Sequence, residues 1–116
     1  MDSKNIADKN IIADTQAEWK DLGNGTRRKV MFHDANMMLV KFHFRKGAVG
    51  QLHKHPHLQL SYVAKGIFKF SLGGVNRIIR EGDVYNIPAM EEHGIVCLEE
   101  GILVDVFNPI REDFLK

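Results

Sequence analysis

The sequence predicts an all-β protein, closed as a barrel or sandwich, and three observations carry that expectation. Apolar residues recur at period two, most plainly where Met38, Val40, Phe42 and Phe44 alternate with Leu39, Lys41, His43 and Arg45. Turn-forming Gly, Asn and Asp residues interrupt the chain about every eight to twelve residues, the rhythm of short strands. No repeat or low-complexity tract intervenes. At 116 residues with a formal net charge of +1, the chain suits one core and has no electrostatic case for nucleic acid or an anionic membrane. A single cysteine excludes an internal disulfide. With neither a leader pattern nor an apolar run long enough to span a bilayer, a soluble, cytoplasmic protein without membrane or nucleic-acid partners is expected.

In order, residues 1–25 read as a polar, loosely attached arm with Ile6, Ile11, Ile12 and Trp19 as apolar anchors, and 26–116 as the β-domain. Trp19 is expected to cover the core of its own chain or a second subunit. Strand signals begin at Arg27 with RKVMFH, and Asp34 to Asn36 turn the chain into MMLVKFHFR. His33 and His43 in these strands have no ligand-like neighbours and are read as structural or surface residues. After the histidine-rich stretch, Leu58 to Ala64 reads as a strand, Lys65-Gly66 as a tight turn and IFKFSL as its partner. Gly73-Gly74 is a hairpin signal, so VNRIIR pairs back. Glu81-Gly82-Asp83 then turns, VYNIP and HGIVCL continue a meander, Glu99-Glu100-Gly101 turns again, and ILVDVF is the last strand.

The stretch GQLHKHPHLQLSYVAKG from Gly50 to Gly66 carries the chemistry. Alternate side chains on an extended strand share a face, so His53 and His55 project together, about 6.6 Å apart along the chain. Imidazole nitrogens bind divalent metals at about 2.1 Å, so one ion reaches both, and further ligands must come from elsewhere. Gln59 is in phase with the pair, and His93 is the remote candidate. His57 is the rival, although Pro56 diverts the chain beside it and biases His55 to extended geometry.

The second block, GDVYNIPAMEEH from Gly82 to His93, delivers that remote histidine after a turn and a short strand. Together the blocks resemble the two motifs of the cupin superfamily. Gly82, Pro88 and His93 match the second motif at every spacing, with Cys97 standing where the family has asparagine. In the first motif Gly66 falls at its place after Gln59 and Gly47 lies before His53 with five residues between, while Gln59 replaces the usual glutamate. The resemblance implies a small single-domain antiparallel β-barrel, a jelly roll, with metal inside.

The tail, DVFNPIREDFL, is the third block. Asp105 sits in an apolar strand, where a carboxylate is costly unless paired or used. It is either an edge-strand acid facing solvent or, given its phase with Phe107 and its closeness to Arg111, part of an internal ion pair or a substrate clamp. With this tail, the chain from about Trp19 to Leu115 resembles the KdgF-type small cupins, which act on 4,5-unsaturated uronates from pectin and alginate breakdown. The resemblance implies one divalent metal, of nickel, iron, manganese, cobalt or zinc, on His53, His55, Gln59 and His93. It further implies catalysis by Asp105, Phe107 and Arg111, a small-molecule uronate substrate and a homodimer. Leu58 departs from the pattern, since glutamate commonly stands there.

The residues themselves suit that chemistry. Three neutral imidazoles and an amide leave a metal its full charge, which favours Lewis-acid work on an anionic substrate. Asp105 would shuttle a proton, Arg111 hold a carboxylate and Phe107 form an apolar wall. A non-haem iron dioxygenase and a non-catalytic sugar-acid-binding cupin are the competing expectations, distinguished by oxygen dependence and by binding without turnover.

Overall fold

The computed structural model describes residues 3–116, as a two-layered antiparallel β-fold with a short N-terminal helix α1 (Ser3–Asn10). Eight strands follow: β1 (Lys20–Gly23), β2 (Thr26–His33), β3 (Met38–Phe44), β4 (Val49–His53), β5 (Leu58–Leu72), β6 (Val75–Arg80), β7 (Val84–Ile87) and β8 (His93–Asn108). Their order is β1-β2-β3-β8-β5-β6, with β4 paired to β8 and β7 to β5. The last strand is therefore central, and the expected meander is replaced by long-range pairing. No helix among the described residues is long and apolar enough to cross a membrane.

Two expected turns are not hairpins. Lys65-Gly66 lies within β5 and Glu99-Glu100-Gly101 within β8, and the register between these strands slips between Val63 and Phe68, where the two signals face each other. Both strands bend there, so each contributes to two layers. The first half of β5 pairs with β7 and its second half with β6, while β8 meets β4 at its start and β3 at its end. Glycine is required by the close approach: Gly66 has φ +94°, and a Cβ there would lie 2.6 Å from the Glu100 carbonyl oxygen. Gly101 would likewise drive a Cβ into the Phe68 ring. The Gly73-Gly74 hairpin forms as expected, with Leu72 opposite Val75.

The inward-facing alternates of both layers make the core, centred on Phe44, Val63, Phe68, Phe70 and Leu103, with Phe44 and Phe68 edge-to-face at 5.5 Å. A smaller cluster of Met38, Val40 and Phe107 packs with Phe42 and Phe114. The sheet itself reaches back to Lys20 through the β1–β2 pairing, so the segment read as a loose arm is fastened from Asp14 onward. Asp14 bridges Lys29, buried on the outer face of β2, and Lys41 on β3. Trp19 lies under Lys29 and Arg27 at 4.7 and 4.4 Å and edge-on to His43. It covers the outside of the sheet, not the core.

Candidate metal centre and active site

His53 closes β4 directly opposite His93, the first residue of β8, so sheet pairing alone puts two imidazoles side by side, with ring centres 4.3 Å apart. His55 arrives from the loop between β4 and β5, 4.8 Å from His93. One nitrogen from each of the three lies within 4.8 Å of the others, a geometry suited to a single ion. Each ring is oriented by a main-chain carbonyl: Nδ1 of His53 bonds Gln51 at 2.7 Å, that of His55 bonds His57 at 2.9 Å and that of His93 bonds Glu91 at 2.9 Å. A carbonyl only accepts, so each Nδ1 carries the hydrogen and each Nε2 keeps its lone pair for a metal.

Gln59 stands beside the cluster. Its amide nitrogen donates to the Ser61 hydroxyl at 3.0 Å and to Asp105 Oδ2 at 3.2 Å, which turns Oε1 toward His55 Nε2 at 3.1 Å. With the amide in this orientation two lone pairs face each other with no hydrogen between them, and a cation is what resolves such a contact. The residues therefore fit a divalent transition metal. Burial favours neutral His93 and His55: it pushes His93 down to about 4, with smaller contributions from the charges of His53, His55 and Arg111, and it also lowers His55. His57 stands outside the three-histidine cluster, and it is its carbonyl that steadies His55.

Asp105 does not face solvent from an edge. It is 3 % exposed in the middle of the sheet, between Val40 on β3 and Ser61 on β5, with Tyr85 on β7 next in the same row. Burial raises its carboxyl to about 7, against the lowering effects of the Ser61 hydroxyl and the Arg111 charge. Its Oδ1 is buried without a hydrogen-bond partner. Arg111 is not its ion-pair partner. The Nε and Nη2 of Arg111 fork onto Asp113 at 3.1 and 3.0 Å, while its guanidinium lies over Phe107 and Phe114. Phe107 sits opposite Gln59 in the sheet, its ring 6.0 Å from His55.

His53, Gln59, His93, Asp105, Phe107 and Arg111 line one cavity of about 310 Å³, within the small-molecule range, whose lining also includes Leu22 to Asn24 of the β1–β2 hairpin. Sequence reasoning missed Ser61, Tyr85, Arg28 and Phe114. Ser61 was accessible from phase, two residues beyond Gln59. Tyr85 was not, since its place beside Ser61 depends on which half of β5 accepts β7; there, burial first and the nearby Asp105 second hold its hydroxyl well above the usual tyrosine range.

A cupin-domain family model matches residues 40–107, the span that holds all four candidate ligands and Asp105. The chain belongs to the cupin family. Among known proteins, this cupin is 45 % identical over 104 residues to the pectin degradation protein KdgF of Dickeya dadantii, covering 88 % of this chain and 94 % of that one. It superposes on the solved structure of KdgF from Halomonas sp. with a TM-score of 0.87 at 34 % identity, covering 90 % of this chain and 97 % of that one. An RmlC-like cupin from Shewanella frigidimarina gives the same TM-score at 40 % identity, over 90 % of this chain and 95 % of that one. Within the family it is thus a small KdgF-like cupin.

Proposed function

We propose that this cupin acts in pectin or alginate breakdown, converting 4,5-unsaturated monouronates into linear keto-acids by ring opening and enol–keto tautomerisation. The observation that carries the reading is Asp105, a buried carboxyl poised near neutrality and hydrogen-bonded to the amide whose oxygen faces the histidine cluster. Similarity to proteins named KdgF supports the same direction.

The reaction is an isomerisation that needs no external oxidant or reductant. A base removes the proton from the anomeric hydroxyl, the bond from C1 to the ring oxygen breaks, and its electron pair leaves an enolate at C5. An acid then protonates C4 and C5 becomes a ketone. Asp105 serves both steps: ionised it accepts the hydroxyl proton, and protonated it returns one to carbon, which suits a carboxyl with a pKa of about 7. A divalent cation held by His53, His55, Gln59 and His93 would supply Lewis-acid stabilisation of the negative oxygen. Phe107 excludes water beside the reacting carbons. Arg111, its inner edge taken by Asp113, offers its remaining N–H groups to the substrate carboxylate.

A homodimer accompanies this reading. Leu60, Tyr62 and Val84 are exposed side by side on the outer face of β5 and β7, an apolar stripe that a second copy would cover. The deciding experiment follows the ultraviolet absorbance of the conjugated double bond of unsaturated galacturonate, with purified protein before and after chelation and metal restoration. Enzyme-dependent decay that chelation abolishes is expected. Decay at the rate of a protein-free control would dismiss the assignment.

A further inference from the structure

The inner face of β2 sends a second guanidinium into the cavity. Arg28 is paired with Phe42 on β3, which in turn is opposite Leu103 on β8, one same-face step from the row holding Asp105. The Arg28 guanidinium carbon is 4.0 Å from the centre of the Phe114 ring, and that of Arg111 is 4.2 Å from the same centre. One aromatic ring therefore steadies two arginines at the cavity wall.

Their partners differ. Arg111 is forked onto Asp113, whereas Arg28 forms no ion pair and no hydrogen bond through its side chain among the described residues. Two neighbouring guanidiniums with one carboxylate between them leave a positive charge unanswered in a half-buried place, where charge is poorly solvated. The free arginine also has the better geometry for a carboxylate, because its whole planar fork is available for two parallel hydrogen bonds.

We propose that Arg28 is the principal anchor for the substrate's carboxylate, with Arg111 closing on the same group from the other side. The assignment rests on the unsaturated-uronate reading and adds to it the side chain that selects a sugar acid over a neutral sugar. Arg28 and Asp105 are two strands apart, about 9.6 Å across the sheet, and one same-face step, about 6.6 Å, along it. Both groups line the same cavity, Arg28 beside Phe114 and Asp105 beside Gln59. A carboxylate fixed at Arg28 thus directs the reacting end of the sugar to Asp105 and the histidines, and a neutral sugar loses that direction.

The test uses metal-loaded wild type, Arg28→Gln and Arg28→Lys with unsaturated galacturonate as substrate. Saturated galacturonate, which lacks the double bond, serves as competitor and galactose as its neutral counterpart. Arg28→Gln should raise KM and the galacturonate inhibition constant about 10- to 100-fold, as expected for losing a charge-assisted fork, while kcat changes by less than about threefold. Arg28→Lys should recover part of the loss, and galactose should treat all three proteins alike. Unchanged KM and inhibition constant in Arg28→Gln, with wild type active, would overturn the assignment alone, as would equal losses toward galactose or a fall confined to kcat. Inactive wild type would overturn the ketonisation reading and this inference with it. Should Arg28→Gln fail to fold, Arg28→Lys decides, because a lysine with wild-type KM and inhibition constant rules out the fork.

Discussion

Replacing Asp105 by Asn tests the buried carboxyl without any substrate. Burial lifts its pKa from an ordinary value near 3.8 to about 7 in the folded protein, a shift of about three units. At about 1.36 kcal/mol per unit, ionised Asp105 opposes folding by roughly 4 kcal/mol. The sign follows from proton binding: between about pH 4 and pH 7 the folded state holds a proton that the unfolded state has lost. The stability belonging to the protonated form is complete below the unfolded pKa and is lost as pH rises through the folded one. Wild type should therefore lose about 2.3 kcal/mol relative to Asp105→Asn between pH 5 and pH 7, and little more above pH 8. For a guanidinium m-value of about 4 kcal/mol/M, that is a relative midpoint shift of about 0.6 M. Unfolding curves for both proteins, stripped of metal with a chelator, give the difference directly. Histidines 55, 57 and 93, whose lowered pKa values make stability fall in acid, are present in both and cancel. Profiles that run parallel in the two proteins would show that Asp105 is ionised at an ordinary pKa and would remove the basis for its acid–base role. In the metal-loaded protein, on the proposed reaction, the same variant should lower kcat by about 10² or more with metal content retained.

Other expectations follow from the remaining contacts. His53→Ala, His55→Ala and His93→Ala should each lose most bound metal by elemental analysis, whereas His57→Ala should retain it, because His57 contributes a carbonyl and stands outside the cluster. Arg111→Lys cannot keep the fork to Asp113, so KM should rise more than kcat falls in steady-state assays. Phe68→Ala, at a fully buried ring packed edge-on against Phe44, should cost about 3–5 kcal/mol in denaturant unfolding. Gly66→Ala should destabilise by more than about 1 kcal/mol on the same measurement, since its φ of +94° and its approach to Glu100 both disfavour a Cβ.

Local chemistry was legible wherever one short segment decided it. His53, His55 and Gln59 share a phase on one stretch, and the spacing from Gly82 through Pro88 to His93 pointed to the histidine that joins them. The period-two runs around Met38 to Phe44 and Leu103 to Phe107 announced strands, because alternation needs no knowledge of partners. Pairing is another matter. Lys65-Gly66 and Glu99-Gly101 each look like hairpin turns alone, yet opposed across β5 and β8 they become bulges that let both strands serve two layers. A glycine's permissiveness is local, but whether it reverses a strand or bends it is set by the strand lying opposite. The same holds for charge: solvent, an ion pair with Arg111 and a substrate clamp were all open to Asp105, with its phase and Arg111 favouring the latter two, until β8 took the centre of the sheet and Asp113 claimed the arginine. Arg28 and Tyr85 had no signal of their own, since they reach the cavity only through the registers of β2 on β3 and β7 on β5. Residue type and phase determined what could bind metal or carry a proton; long-range register, which depends on how distant segments bury their apolar faces together, decided which groups meet.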